Sequence, residues 1–213
     1  MFPNRLFSAT MQPIIKNRHS LSNEAAMSGD ALFHELVNTR FGEAAVIWSA
    51  DRQGPRIAWI FLPAPAEKTL RDIRRMFPGA TTKSCETVTK LGEALRACLE
   101  GKAVSFDTSV LDMSRVPPYH RKVLRALAEI PRGKVRTYGA VASETGAPGG
   151  ARAAGQGCAK NPFPIVFPCH RVIRSDGSLG GFGGGLTLKR ALLEMEGVQF
   201  DSTGKVEMEF ILR

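Results

Sequence analysis

The chain lacks any apolar run of bilayer-spanning length, so no helical membrane span is expected within it. Cysteine is scarce, with four in 213 residues and no regular spacing. No signal-peptide pattern is present either. A disulfide-stapled secreted scaffold is therefore not expected, whereas free thiols in a reducing, intracellular compartment are. A Cys85–Cys98 bridge stays open but is not favoured. No group of His, Cys and carboxylates has metal-ligand spacing, so no metal is expected. Acids are scarce in one stretch. Between Arg115 and Arg190, 13 Lys and Arg face only Glu129, Glu144 and Asp176, a balance of +10 in a chain of net charge +9. A solvated basic surface is the plain reading of such an excess, but its concentration in one segment favours a polyanionic partner. Aromatics are sparse there too (Tyr119, Tyr138, Phe163, Phe167, Phe182), which argues against a stacking platform for single strands and for contacts to a duplex backbone.

What is present is a thiol in an unusual setting. Pro168-Cys169-His170-Arg171 lies between the apolar stretch Phe163–Phe167 and Val172-Ile173. The ordinary reading is a buried cysteine ending a core strand. The flanking imidazole and guanidinium suggest instead a stabilised thiolate, the nucleophilic form. An unperturbed cysteine is about 3% thiolate at pH 7, so full ionisation raises the nucleophile population by at most roughly 30-fold, about 2 kcal/mol. Positioning can supply roughly 7–11 kcal/mol, so a reactive cysteine also needs a pocket.

Residues 1–27 lack periodicity and are expected to be a disordered extension, or to precede a true start at Met27. Residues 28–105 read as a small α/β unit. A short helix is expected from Ser28 through Leu32, Phe33, Leu36 and Val37. Strands follow at Ala44–Ser49 and Arg56–Leu62 about a turn at 51–55, then helices at Glu67–Met76 and Thr87–Glu100. Residues 106–116 read as a polar linker, and 117–213 as a second domain. That domain opens with a helix at Tyr119–Glu129. A helix-turn-helix follows, with Thr137 as N-cap, Gly146 as C-cap and residues 147–150 as the turn. Its second helix, opening on Ala151-Arg152-Ala153-Ala154-Gly155, is built of Ala and Gly around one arginine. Such smallness serves close approach, either to a neighbouring helix or to a nucleic-acid groove. A reactive strand, a turn at 175–177, the glycine loop Gly180–Gly185, a helix at Leu186–Glu196 and a hairpin about 202–204 complete the reading. The loop is not a phosphate loop, because no Lys-Ser or Lys-Thr pair follows at the required spacing.

These stretches together resemble the O6-alkylguanine-DNA alkyltransferase family, the methylated-DNA–protein-cysteine methyltransferases. The residues that carry the resemblance are Pro168-Cys169-His170-Arg171, Asn161-Pro162, Ala151-Arg152-Ala153, Arg136-Thr137-Tyr138, and Gly180–Leu186 with Lys189 and Glu196-Gly197, in family order between about Pro118 and Val198. The resemblance implies an α+β fold, with a ribonuclease H-like N-terminal domain and a winged-helix-like C-terminal domain. It implies irreversible, single-turnover transfer of an alkyl group from O6 of guanine, and from O4 of thymine, to Cys169.

By the same resemblance, His170 takes the thiol proton through a water and is oriented by Glu196, while Tyr138 donates to the flipped guanine. Arg152, Ala151 and Gly155 lie on the DNA-binding helix, with Arg152 filling the gap left by base flipping from the minor groove. Cys158, Val172, Phe182, Gly183 and Gly184 line the substrate pocket. Within it, the Gly183 N–H faces guanine O6, and the Cys169 and Val172 carbonyls face the amino group. Asn161 braces the hinge. Taken singly, Glu196 would read as a solvated helix end, Tyr138 as core and Asn161 as an Asn-Pro turn. No cofactor is implied. The implied partner is double-stranded DNA containing O6-alkylguanine, met by a monomer in the cytoplasm or a nucleus. The rivals are a lesion-binding sensor without transfer, a cysteine hydrolase and a methylation-sensing transcription factor. The cysteine in the Pro-Cys-His-Arg position argues against the first.

Overall fold

The computed structural model describes residues 31–212. The expected extension at 1–27 and the first residues of the expected helix at 28–37 lie outside the described residues.

The N-terminal half is built on a sheet. Strand β1 (Leu32–Thr39) pairs antiparallel with β2 (Gly42–Asp51), which pairs antiparallel with β3 (Gly54–Ala64). Turns at 40–41 and 52–53 join them, and the glycine that follows each, Gly42 and Gly54, takes the positive φ at which the next strand starts. A short β4 (Thr81–Thr82) lies parallel beside β1, giving the order β3-β2-β1-β4. The helix expected through Leu32 and Val37 is therefore a strand. Apolar residues of both parities occur in it because both faces of this sheet are covered.

Helix α1 (Ala66–Met76) covers one face, packing Ile73 and Met76 with Phe77 onto Ala45, Ile47, Trp59 and Phe61. Helix α2 (Glu86–Leu99) covers the other with Val88, Leu91, Leu95 and Leu99, against Val37, Val46 and Ile57. That second core does not stop at the first half. It continues through Val123, Leu124, Leu127, Phe163 and Phe167 to Cys169. Residues 106–116, expected as a polar linker, run along β3: Leu111 bridges to Ile57 and is 2% exposed. The Ile57 N–H donates to the Val110 carbonyl at 2.8 Å, and the Asp112 N–H to the Ile57 carbonyl at 2.8 Å.

The second half begins with α3 (Pro118–Ala128), whose Val123, Leu124 and Leu127 are buried. After the turn at 131–134, β5 (Arg136–Thr137) leads into α4 (Tyr138–Glu144). The Thr137 hydroxyl accepts from the Ala140 N–H at 3.1 Å, capping the helix as expected. Gly146 follows at φ +79, and the turn at 147–150 leads into α5 (Ala151–Ala159). The small residues of α5 divide between the two readings. A Cβ on Gly157 would meet Val123 of α3 at 3.0 Å, so this glycine serves helix packing. Ala151, Arg152 and Gln156 face outward.

The expected reactive strand is not a long strand. Residues 161–171 form turns, ending in a 3-10 turn at Cys169–Arg171, and only β6 (Val172–Ile173) is extended, pairing parallel with β5. Helix α6 (Gly185–Met195) and a turn bridging Phe200 to Val206 close the chain. The molecule is thus a mixed α+β fold. All four cysteines are free, so the Cys85–Cys98 alternative is not realised.

Candidate active site

Residues 161–170 are buried without exception, although almost none of them is in regular structure. A buried irregular segment must find partners for its backbone polar groups. Asn161 supplies two. Its side-chain amide donates to the Phe167 carbonyl at 2.8 Å, and its side-chain oxygen accepts from the Phe163 N–H at 2.9 Å. Between them Ile165 adopts φ +74, a left-handed conformation unusual for a β-branched residue. The loop is thereby forced to turn and deliver Pro168 and Cys169. Cys169 then opens the 3-10 turn, with its N–H donating to the Phe167 carbonyl at 2.8 Å. The residue is 6% exposed, so it is buried without being sealed.

The two cations beside Cys169 in sequence do not hold a thiolate. Burial pushes the Cys169 thiol above its ordinary value, outweighing the lowering by Asn161 and Lys189. His170 and Arg171 turn instead to Glu196. His170 Nε2 lies 3.0 Å from Glu196 Oε1, and Arg171 grips both carboxylate oxygens at 2.8 Å while donating to the Ile130 carbonyl at 2.6 Å. Burial alone would raise the Glu196 carboxyl, but the hydrogen bonds from His170 and Arg171 win and hold it at about 2. Burial also lowers His170, against the raising effect of Glu196. His170 is thus a neutral imidazole. With Nε2 donating to the carboxylate, Nδ1 is the lone-pair nitrogen, and it makes no hydrogen bond among the described residues.

The nearby cation is one that sequence reasoning left without a role. Lys189, on α6, is 0% exposed. Its ammonium donates to the Val172 carbonyl at 2.5 Å, to the Leu179 carbonyl, and to the Gly181 carbonyl at 3.5 Å. Burial lowers it to about 8, with Cys169 and Cys158 pulling the other way. One signal was available: Lys189 sits beside Leu188 and one turn before Leu192 and Leu193, on the apolar stripe of its helix.

Around the thiol, Tyr138 begins α4, and its hydroxyl donates to the Gly181 carbonyl at 3.3 Å. A Cβ on Gly180 would meet the Tyr138 ring at 2.8 Å, and Gly180 has φ +67, so only glycine fits there. Burial raises the Tyr138 phenol, and it raises the half-buried Cys158 thiol. The Phe182 and His170 rings lie at a steep angle to each other, with centroids 6.3 Å apart. Val172 is fully buried, with its carbonyl accepting from Lys189, and the Cys169 carbonyl accepts from the Val172 N–H. These are the two carbonyls expected to face a guanine amino group; each already has one partner. Gly183 is exposed and Gly184 half-exposed. Ala151 and Arg152 lie outward on α5, while a Cβ on Gly155 would lie 3.8 Å from the Tyr138 ring. Cys169, His170, Glu196, Tyr138, Phe182 and Cys158 are brought into one region, and Arg152 stands on the outer face of the helix beside it. Among the described residues no three of His, Cys, Asp and Glu come together as metal ligands. Nor is any helix there long and apolar enough to cross a membrane.

The family described as "6-O-methylguanine DNA methyltransferase, DNA binding domain" matches residues 118–198. A methylated-DNA–protein-cysteine methyltransferase of Methanothermobacter thermautotrophicus is 49% identical over 114 residues, covering 54% of this chain and 64% of that protein. The chain thus spans a little under two thirds of that relative. One of the same name from Methanosarcina acetivorans is 37% identical over 120 residues, 56% of this chain and 76% of that protein. Among solved structures, Mycobacterium tuberculosis OGT in complex with DNA matches with a TM-score of 0.61 at 33% identity, covering 77% of this chain and 92% of that one.

Proposed function

Because this chain belongs to the methylated-DNA–protein-cysteine methyltransferase family, we propose that it repairs DNA by moving an alkyl group from O6 of guanine, and from O4 of thymine, onto Cys169. The observation that carries this reading is a nearly buried thiol followed by an imidazole whose Nε2 is fixed on a carboxylate and whose Nδ1 has no hydrogen-bond partner among the described residues. Such a pair rests as neutral thiol and neutral imidazole, so the nucleophile is made when needed. The thiol proton passes through a water to His170 Nδ1, and Glu196 stabilises the resulting imidazolium. Sulfur attacks the alkyl carbon; the S–C bond forms as the C–O6 bond breaks, and its electron pair leaves on guanine O6. Tyr138 and the Gly183 N–H are the donors assigned to the leaving base, and Cys158, Val172, Phe182 and Gly184 to its walls. The thioether has no route back to a thiol, so one molecule acts once, without a cofactor.

Arg152, with Ala151 and Gly155, is assigned to duplex DNA. The excess of positive charge after Arg115 and the outward position of Arg152 support it. Two further readings belong to the same proposal. The sheet order β3-β2-β1-β4, with β4 parallel to β1, supports a ribonuclease H-like N-terminal domain at 28–105. The run α3-α4-α5 with paired β5 and β6 supports a winged-helix-like domain at 117–213, joined through 106–116.

The test is incubation with duplex DNA carrying O6-methylguanine, followed by peptide mass mapping. One methyl on the Cys169 peptide, capped at one per protein, is expected, and Cys169→Ala should abolish transfer while keeping lesion binding. Repeated turnover, or binding with no mass change, would sink the proposal. Arg152→Ala should weaken repair of duplex more than reaction with free O6-benzylguanine; equal losses would remove the role given to Arg152.

A further inference from the structure

The loop Gly180–Gly185 cannot hold its own shape. Five of its six residues are glycine, which lose the most conformational freedom on ordering, and only Phe182 carries a side chain. Its first half is held from within the C-terminal half, where the Gly181 carbonyl accepts from Tyr138 and from Lys189. Its second half is met by a residue of the other half of the molecule. Leu62 of β3 places its Cδ1 3.6 Å from where a Cβ on Gly183 would lie, and 3.4 Å from the same point on Gly184. The same Cβ position on Gly184 would lie 2.6 Å from Leu188 Cδ2 and 3.1 Å from the Phe182 ring, so the glycine is crowded by all three side chains. The same strand also holds the hinge, because the Ile60 N–H donates to the Pro162 carbonyl at 2.8 Å. Strand β3 is in turn paired with β2 up to Phe61 and again at Ala64, with Leu62 at the register shift between them. A strand held in the sheet on either side of Leu62 therefore touches both irregular segments that flank Cys169.

We propose that Leu62 is a specificity-determining residue, acting as the outer stop of the pocket loop and so setting how large an alkyl group fits beside Cys169. The inference rests on the alkyl-transfer reading above. Leu62 does not meet the substrate; it fixes how far Gly183, Gly184 and the attached Phe182 can retreat from it. Truncating Leu62 leaves space behind the loop, so a bulky group gains more than a methyl does. Enlarging Leu62 presses the loop inward and penalises the bulky group first.

The experiment compares transfer rates from the same duplex carrying O6-methylguanine or O6-benzylguanine, using the full chain. Leu62→Ala should raise the benzyl-to-methyl rate ratio about tenfold, Leu62→Phe should lower it about as much, and Leu62→Ile should restore the wild-type ratio. Melting curves accompany each variant, because a merely structural loss lowers both rates together. If Leu62→Ala fails to fold, Leu62→Val must still move the ratio in the same direction. Ratios equal to wild type in the folded variants overturn the proposal. Amide exchange at Gly183 and Gly184 tests the brace without any transfer. Faster exchange in the truncated variant supports it, and unchanged exchange overturns it. A wild-type protein that transfers neither group refutes the alkyl-transfer reading, while exchange still decides the brace.

Discussion

Residues 42–64 and residues 161–185 both hide most of their apolar side chains, but different forces hold them. In the first stretch β2 and β3 satisfy each other's backbone in a ladder running from the Glu43–Ala64 pair to the Asp51–Gly54 pair. Side chains are then free to be apolar on both faces, and they are. In the second stretch only Val172 and Ile173 are extended, local turns satisfy part of the backbone, and side chains hold the turns in place: Asn161 before the thiol, Lys189 after it, and Arg171 clamping the end of α6. A ladder is redundant, since each bond has neighbours of the same kind. A staple is not, since one side chain makes several of the bonds and its loss removes them together. The first arrangement should fail by loss of packing, and the second by loss of local geometry.

The largest expected effect tests the first half of that contrast. Ile47 is fully buried on the sheet face that α1 covers, away from Cys169. Ile47→Ala should cost about 3–4 kcal/mol by cavity formation. Denaturant midpoints measure this. The folded variant should transfer a methyl group within about twofold of wild type, since distant sites act independently. A larger change in rate would mean that the two regions are not separable.

Acid should act on the second region almost as strongly. Glu196 is held at about 2 against an ordinary 4.5. A carboxyl lowered by folding contributes stability that is complete above about 4.5 and lost as pH falls toward 2, here roughly 3 kcal/mol. His170 adds in the same direction: burial lowers it, so below 6.5 the unfolded chain takes a proton that the folded chain refuses. Urea midpoints measured from pH 7 to pH 3 should therefore fall steadily. Glu196→Gln should flatten the lower part of that curve; an unchanged slope would show that the clamp carries no linkage.

Lys189→Met should have a smaller global effect than either. It orphans the Val172 and Leu179 carbonyls and weakens the hold on Gly181, at about 1–3 kcal/mol per buried group. It also removes an ammonium whose burial is unfavourable enough to lower it to about 8. The terms oppose, leaving roughly 2 kcal/mol of destabilisation. The distinguishing readout is local: amide exchange across 179–183 should rise far more than in the sheet. Uniform exchange would erase the distinction between staple and ladder.

The same distinction explains what could be read in the residues. Helix α1 was legible because one apolar stripe faces the sheet and the rest meets solvent. Strand β1 was not, because Leu32 and Leu36 pack on one face and Phe33 and Val37 on the other, which mimics helical spacing. Cys169 stood out by its local setting, but the roles of His170, Glu196 and Asn161 could be assigned only as a set, through family resemblance; no local pattern announces that an Asn-Pro turn will be buried. Lys189 went unassigned because lysine is ordinarily exposed, and its place on the apolar stripe of α6 does not by itself say which carbonyls it will reach. Arg171 was misread because adjacency in sequence to Cys169 says nothing about direction within a 3-10 turn. Leu62 lies more than a hundred residues from the thiol, a separation that no spacing argument crosses.

The smallest predicted effect falls where the two modes of holding meet. Thr137 ends β5, paired to β6, and also caps α4 through its hydroxyl at 3.1 Å from the Ala140 N–H. It is thus a ladder residue and a staple at once. Thr137→Ala keeps the ladder and removes the cap, at about 1 kcal/mol. Thr137→Ser should recover most of that, because the hydroxyl is what caps the helix. Tyr138 is the next residue, so a frayed first turn should loosen its bond to Gly181 and slow alkyl transfer by a few fold beyond what stability predicts. Thermal melts and transfer rates measured on the pair decide it. If Ala and Ser variants melt alike, the hydroxyl contributes nothing and the strand pairing alone fixes the start of α4.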